Sequence, residues 1–141
     1  MSATASRGTR VTTLHAVYPS KTFPAHLSIA TGLYPTGHGV VDNRFSRSDR
    51  ADCYCMGHGR KDPTWLADTS LWTPVEQQSG RASTFFWPES DAPIAGTLPT
   101  DYRLYDGRVP HGKRVAQVVE WLSLPKGMRP DLVTRYFSAV E

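Results

Sequence analysis

Cysteine is nearly absent: the 141-residue chain has only Cys53 and Cys55. One residue separates them, so a mutual bridge is strained, and two free thiols or pairing outside the chain fit better than a disulfide scaffold. Cys53, Cys55 and His58 are followed by no second Cys/His pair at a spacing that would close a tetrahedral metal knuckle. No apolar run approaches the ~18 residues of a membrane span. The first ten residues lack the apolar centre of a signal peptide. The sixteen Lys and Arg form no basic block, so a net charge of +3 marks no nucleic-acid-binding surface. Acidic residues are missing from the first 21 positions, and no internal repeat or low-complexity tract occurs. What remains, 39% hydrophobic and 21% charged residues, is the composition of one modest globular domain.

Short apolar runs alternate with helical patterns. Residues 11–17, rich in β-branched side chains, predict a buried strand. Residues 24–30 carry no breaker and predict a helix with Pro24 near its first turn. A loop over 34–43 follows, with Gly37 and Gly39 as conformationally permissive points. Residues 44–69 are polar and long for a structureless loop, which predicts a functional rim or hidden local structure. Residues 71–78 predict a short helix ending at Gly80, and 82–87 a strand stopped by Pro88. Residues 89–100 are interrupted by Gly and Pro and predict a loop. Over 112–122, Val115, Val118, Val119 and Leu122 lie at i, i+3, i+4 and i+7, one apolar helical face. A turn over 125–130 leads to a last strand over 132–140. This order predicts an α/β fold: a mostly parallel sheet flanked by helices.

Ligands of such sheets sit at the carboxyl ends of the strands. Thr22, Trp87-Pro88 and Glu141 each follow a predicted strand there. Thr22 falls where the first strand ends and a helix begins, so free backbone N–H groups and the positive end of a helix dipole would lie beside its hydroxyl. That setting suits an anion and a nucleophile attacking phosphorus or sulfur. The alternative for Thr22 is a simple helix N-cap.

Lys21-Thr22-Phe23-Pro24, Thr31-Gly-Leu-Tyr-Pro35, His38-Gly39 and Val41-Asp42-Asn43 resemble the nucleophile region of the nucleotide pyrophosphatase/phosphodiesterase family, in the alkaline phosphatase superfamily. The likeness continues through Thr84-Phe-Phe-Trp-Pro88, Leu104-Tyr-Asp-Gly107, Arg114-Val115, Glu120-Trp-Leu122, Leu124-Pro125 and Arg129-Pro130, in the family's order. It implies an alkaline-phosphatase-like domain, present here in part and truncated at both ends relative to the family.

The resemblance implies roles. Thr22 is the metal-bound nucleophile that forms a phospho-threonine, with two zinc ions as cofactors. Asn43, 21 residues on, donates its amide to a non-bridging phosphate oxygen; from its own surroundings it reads equally as a turn residue. Phe23 and Tyr105 sandwich a nucleobase, where lone aromatics would otherwise be core. Trp87 and Asp91 lie at the pocket rim, and Lys21 pairs with phosphate or a nearby carboxylate. His26 and His38 are structural. Glu141 takes the place of a metal-binding Asp, its extra methylene moving the carboxylate by about 1.5 Å. The family's other acidic and histidine ligands have no counterpart here. The expected function is hydrolysis of a nucleotide phosphodiester or pyrophosphate, in the intact protein. The alternatives are a catalytically silent fragment that binds phosphate or nucleotide weakly, and a phosphodiesterase acting on lysophospholipid, choline or sulfate esters. The family setting is periplasmic, secreted or otherwise extracytoplasmic. A sheet lacking its upstream strand would leave an open edge and an uncovered apolar face, both liabilities in the isolated chain.

Overall fold

The computed structural model describes residues 7–9, 11–66 and 69–138. The first ordered element is helix α1 (Thr22–Thr31), with Lys21 as its N-cap in extended conformation. Pro24 stands in the first turn, where a missing N–H is no loss. Gly32, at φ 73°, ends the helix and donates its N–H to the Ser28 carbonyl at 2.9 Å. The short helix α2 (Pro35–His38) ends at Gly39, φ 88°. Gly37 lies within α2, so of the two glycines only Gly39 uses the left-handed region.

The polar stretch after Asn43 contains local structure. Strands β1 (Arg44–Ser46) and β2 (Cys53–Cys55) form an antiparallel hairpin in which Phe45 faces Tyr54. Two 3₁₀ turns, His58–Arg60 and Pro63–Trp65, follow it. The hairpin packs on α1 through Leu27, Val40, Tyr54 and Trp65, with Phe23 and Phe45 against them.

Helix α3 (Trp72–Gln77) leads into the sheet: β3 (Ala82–Phe85), β4 (Asp101–Arg103) and β5 (Leu132–Arg135). Its order is β4-β3-β5 and both pairings are parallel. All four residues of β3 are buried, as a central parallel strand covered on both faces requires. On one face Ala82 packs with Ala30 of α1 and Trp72 of α3. On the other, Phe85 packs with Phe86 and with Trp121 of helix α4 (His111–Leu122).

Three expectations are corrected. Residues 11–17 form no strand, and Val11 and Leu14 are 71% and 87% exposed. β-Branched composition gives strand propensity, but here no neighbouring strand pairs with the segment. The face of α4 is rotated by one residue: Arg114 and Trp121 are buried, while Val115, Val119 and Leu122 are exposed. Trp121 fills more of the core than a valine would. The Arg114 guanidinium donates to the Val109 and Tyr136 carbonyls and lies 4.9 Å from the centre of the Phe86 ring. Finally, β4 occupies a segment whose Asp, Tyr and Arg carried no strand signal. The residues after 138, including Val140, lie outside the described part.

One carboxylate holds the amino ends of the sheet. Glu76 at the end of α3 accepts from the Ala82 N–H (2.7 Å), the Thr100 N–H (2.6 Å) and the Thr100 hydroxyl (2.9 Å). Hydrogen bonds to a charged acceptor are the stronger kind. Glu76→Ala is expected to cost about 2–4 kcal/mol, read as a lower urea midpoint, with Glu76→Gln losing less; an unchanged midpoint in the alanine variant contradicts this role.

Candidate active site

Each strand of the parallel sheet delivers residues just beyond its carboxyl end into one cavity of about 360 Å³. β3 contributes Phe86 and Trp87, β4 contributes Leu104 and Tyr105, and β5 contributes Tyr136. The start of α1 adds Thr22 and Phe23, and the turn after β2 adds Met56 and Gly57. Such a volume fits a small-molecule ligand. The walls are mainly aromatic, with Glu89, Asp91 and Arg103 as the charged contributions.

Thr22 is the first residue of α1, not its cap; Lys21 holds the cap position and no side chain caps the helix. The Thr22 carbonyl accepts from His26 Nδ1 at 2.7 Å, and Thr22 lines the cavity. The neighbouring N–H groups are largely committed. Phe23 N–H donates to Asn43 Oδ1 at 3.0 Å, Pro24 has none, and Ala25 N–H donates to the Lys21 carbonyl at 3.0 Å. The helix start therefore presents fewer free donors than its sequence implied.

The Phe23–Asn43 bond also orients Asn43. Only the amide oxygen can accept from a backbone N–H, so the Asn43 NH₂ is the end left to donate elsewhere. The Lys21 ammonium contacts both Asp42 oxygens, at 2.9 and 2.7 Å, on the exposed side of the helix start. That bond holds the Asp42 carboxyl below its usual range. Lys21 thus takes a carboxylate partner and does not line the cavity.

Two histidines, His26 half-buried and His38 buried, brace the region. His26 meets Trp87 and Tyr136 edge-on, at ring distances of 5.2 and 5.0 Å. His38 is 1% exposed and burial holds its imidazole below the ordinary range. Its Nδ1 accepts the Val40 N–H at 3.3 Å, which places the proton on Nε2, donating to Ser28 Oγ at 3.1 Å.

The cavity thus unites Thr22, Phe23, Trp87, Asp91 and Tyr105, with Asn43 directly behind Phe23. Tyr105 is 59% exposed and meets Phe86 edge-on at 5.4 Å. Asp91 is half-buried, and desolvation raises its carboxyl. Glu141 lies outside the described residues. Sequence reasoning missed Met56 and Gly57, Arg103, Tyr136 and Glu89. Tyr136 had a signal, an aromatic at the end of the last strand; Glu89, following Pro88, reads as an exposed turn residue.

Glu89 is instead 1% exposed, with φ 59°. Its Oε1 accepts the Tyr54 hydroxyl at 2.5 Å, and its Oε2 has no hydrogen-bond partner among the described residues. Burial pushes the carboxyl up to about 7, against the Tyr54 hydroxyl, which pulls it down. Burial likewise pushes the Tyr54 phenol up.

The zinc pair implied by the resemblance does not fit the donors in place. Among the described residues, no three His, Cys, Asp or Glu side chains converge as a metal site would need. Of the two residues that the resemblance makes metal ligands, Thr22 lines the cavity and Glu141 lies outside the described residues.

Comparison with known proteins agrees with this architecture. The family of type I phosphodiesterase / nucleotide pyrophosphatase matches residues 1–141. Rat ectonucleotide pyrophosphatase/phosphodiesterase family member 1 is 41% identical over 130 residues, which is 92% of this chain and 14% of that protein. The venom phosphodiesterase of Macrovipera lebetinus is 40% identical over 130 residues, 92% of this chain and 15% of its own length. Among solved structures, murine ectonucleotide pyrophosphatase/phosphodiesterase 5 superposes with a TM-score of 0.81 at 26% identity, covering 90% of this chain and 34% of that one. An inactive variant of the same mouse protein, solved in complex with AMP, gives a TM-score of 0.81 at 25% identity. The chain therefore spans a minor part of the proteins it matches, and its sheet with helices on both faces is alkaline-phosphatase-like. It belongs to the type I phosphodiesterase / nucleotide pyrophosphatase family.

Proposed function

We propose that this chain is the nucleophile-bearing, base-binding part of a catalytic domain that hydrolyses nucleotide phosphodiester or pyrophosphate bonds. The observation that carries the reading is one cavity lined by Thr22, Phe23 and Tyr105 at the carboxyl ends of the sheet. The mouse relative solved with AMP supports a nucleoside monophosphate as the bound moiety.

In this reading the base stacks on Phe23 and Tyr105, and Trp87 and Asp91 border it. The phosphorus then stands over the start of α1. Thr22 Oγ1 bonds to phosphorus as the bond to the leaving alkoxide or phosphate breaks, and water later cleaves the phospho-threonine. The Asn43 NH₂, aimed by its bond to Phe23, donates to a non-bridging oxygen whose charge grows in the transition state. Lys21 stays outside this cage, its charge engaged by Asp42. In the family chemistry, two zinc ions would activate the hydroxyl.

A second reading concerns the 141 residues alone. With no convergent donor set for zinc among the described residues, this chain by itself binds a nucleotide without turning it over. A lysophospholipid, choline or sulfate ester is less well served, because the aromatic walls at Phe23 and Tyr105 suit a planar base.

In the full-length protein, Thr22→Ala is expected to cut turnover of a chromogenic nucleoside 5′-phosphodiester by at least about 10³-fold, and Asn43→Ala by about 10²–10³-fold. Activity within tenfold of wild type in Thr22→Ala would remove Thr22 from the mechanism. For the 141-residue chain, calorimetry with AMP should show binding that Tyr105→Ala weakens by about 1–3 kcal/mol, with no hydrolysis on adding zinc. Zinc-dependent turnover abolished by Thr22→Ala would overturn the second reading.

A further inference from the structure

The turn after β2 and the loop after β3 both border the cavity, and a buried hydrogen bond joins them. Met56 and Gly57 line the cavity from the first side, and Trp87 to Asp91 from the second. Between them Tyr54, fully buried next to Cys55 and Met56, donates its hydroxyl to Glu89 Oε1. On the far side of the carboxyl, a Cβ built on Gly59 would stand 2.7 Å from Glu89 Oε2 and 2.7 Å from Leu66 Cδ1. The carboxyl is therefore clamped between Tyr54 and the Gly57–Gly59 turn, with one oxygen unpartnered. Its backbone, at φ 59°, is in a region that a glutamate rarely adopts.

We propose that Glu89 is a positioning residue: through Tyr54 it clasps the Met56–Gly57 border to the Trp87–Asp91 border and so sets the width of the cavity. No ligand atom need touch it. The bearing on ligand affinity rests on the base-binding reading above; the clasp itself does not.

The clasp depends on the proton. A neutral carboxyl tolerates an unpartnered oxygen in a dry setting, whereas a carboxylate there calls for water or a donor. The groups facing it are few. Tyr54 donates to it, Asp91 beside it repels its charge, Cys55 and Asp91 act on Tyr54, and Arg60 acts on Asp91. His58 stacks near Tyr54 at 6.3 Å. Among the described residues no cation pairs with Glu89; the Tyr54 hydroxyl and the Gly57 and Gly59 N–H groups favour its ionised form, and burial outweighs them. Since burial raises this carboxyl from 4.5 to about 7, its share of stability is complete below pH 4.5. That share is lost as pH rises through about 7. The border held by Tyr54 loosens over the same window.

The test is a pH titration of the 141-residue chain by amide NMR from pH 5.5 to 8.5, with adenosine, whose charge is constant over that range, as the binding probe. The Met56, Gly57 and Gly59 amides are expected to shift together with a midpoint near neutrality, and to stay flat in Glu89→Gln, which imitates the neutral acid. Adenosine affinity should fall three- to tenfold from pH 6 to pH 8 in wild type. It should remain at the pH 6 value throughout in Glu89→Gln, and be weak at every pH in Glu89→Gly, a residue suited to that backbone angle. Tyr54→Phe should reduce the amide shifts if Glu89→Gln does not fold. Amides that do not titrate, or that still titrate in Glu89→Gln and so report His58, overturn the clasp. Amides that titrate while adenosine affinity stays constant overturn its control of the cavity. Amides that titrate as expected with no adenosine binding at any pH uphold the clasp and refute the base-binding reading instead.

Discussion

The site depends on where β3 stops. β3 is buried at every position and flanked by parallel strands, so its direction fixes those of β4 and β5. It ends because Phe86 turns to φ 62°, a conformation that breaks pairing and costs an aromatic residue on the order of 1–3 kcal/mol. The turn is held from both sides: Phe86 N–H donates to the Arg103 carbonyl at 3.3 Å and Tyr136 N–H to the Phe85 carbonyl at 2.9 Å. These two bonds bring the ends of all three strands level, which is why residues 86, 104–105 and 136 share one cavity. Of the four non-glycine residues at positive φ, Phe86 and Glu89 both border that cavity. Strain and binding surface thus coincide, as preorganisation of a site requires.

Charge beneath the site follows the same economy. Arg114 is 1% exposed and hydrogen-bonds carbonyl oxygens, and among the described residues no carboxylate pairs with it. The Phe86 ring, 4.9 Å from its guanidinium, supplies the rest of its stabilisation. A cation fixed behind the aromatic wall reinforces the turn at Phe86 without entering the cavity. Glu89 is the counterpart on the other border, a carboxyl that burial pushes towards its neutral form against the pull of the Tyr54 hydroxyl. The pocket accordingly keeps aromatic walls while the groups that shape it are polar.

How much of this could be read from the sequence depends on whether a feature is local. The helix that carries Pro24, the helix before Gly80 and the strand before Pro88 all follow from propensities acting within a few residues, and they appear close to where they are expected. The parallel α/β class followed from their order. Residues 11–17 failed because a strand is a pairing, and no partner lies beside them. The α4 face was displaced because the valine spacing said nothing of Trp121 and Arg114, which meet Phe85, Phe86 and Tyr136, residues distant in sequence. The cavity residues recruited from the hairpin and from β4 were illegible for the same reason. Glu89 was the hardest case, since its burial comes from Tyr54, 35 residues earlier, and no pattern around Pro88 announces it.

The nucleophile region is assembled differently from the rest of the site. α1, α2 and the return to Asn43 form a closed excursion whose two ends meet at Phe23, through the bond to Asn43, and at Lys21, through Asp42. Inside it, His38 fastens Ser28 to Val40, and Leu27 packs with Val40 in the core beneath. The exposed Lys21–Asp42 pair adds little energy, so the amide bond and the buried histidine set this geometry. Thr22 and Asn43 are thus tied to each other through residues 21–43, with the hairpin packed beneath and His26 braced by Trp87 and Tyr136. The sheet adds the aromatic walls. A substrate needs both at once, and the point where they are joined is Phe23: its N–H locks Asn43, and its ring faces the cavity opened by the three strand ends. In the function proposed above, Phe23 therefore couples the geometry of Thr22 and Asn43 to the occupancy of the base-sized space beside them.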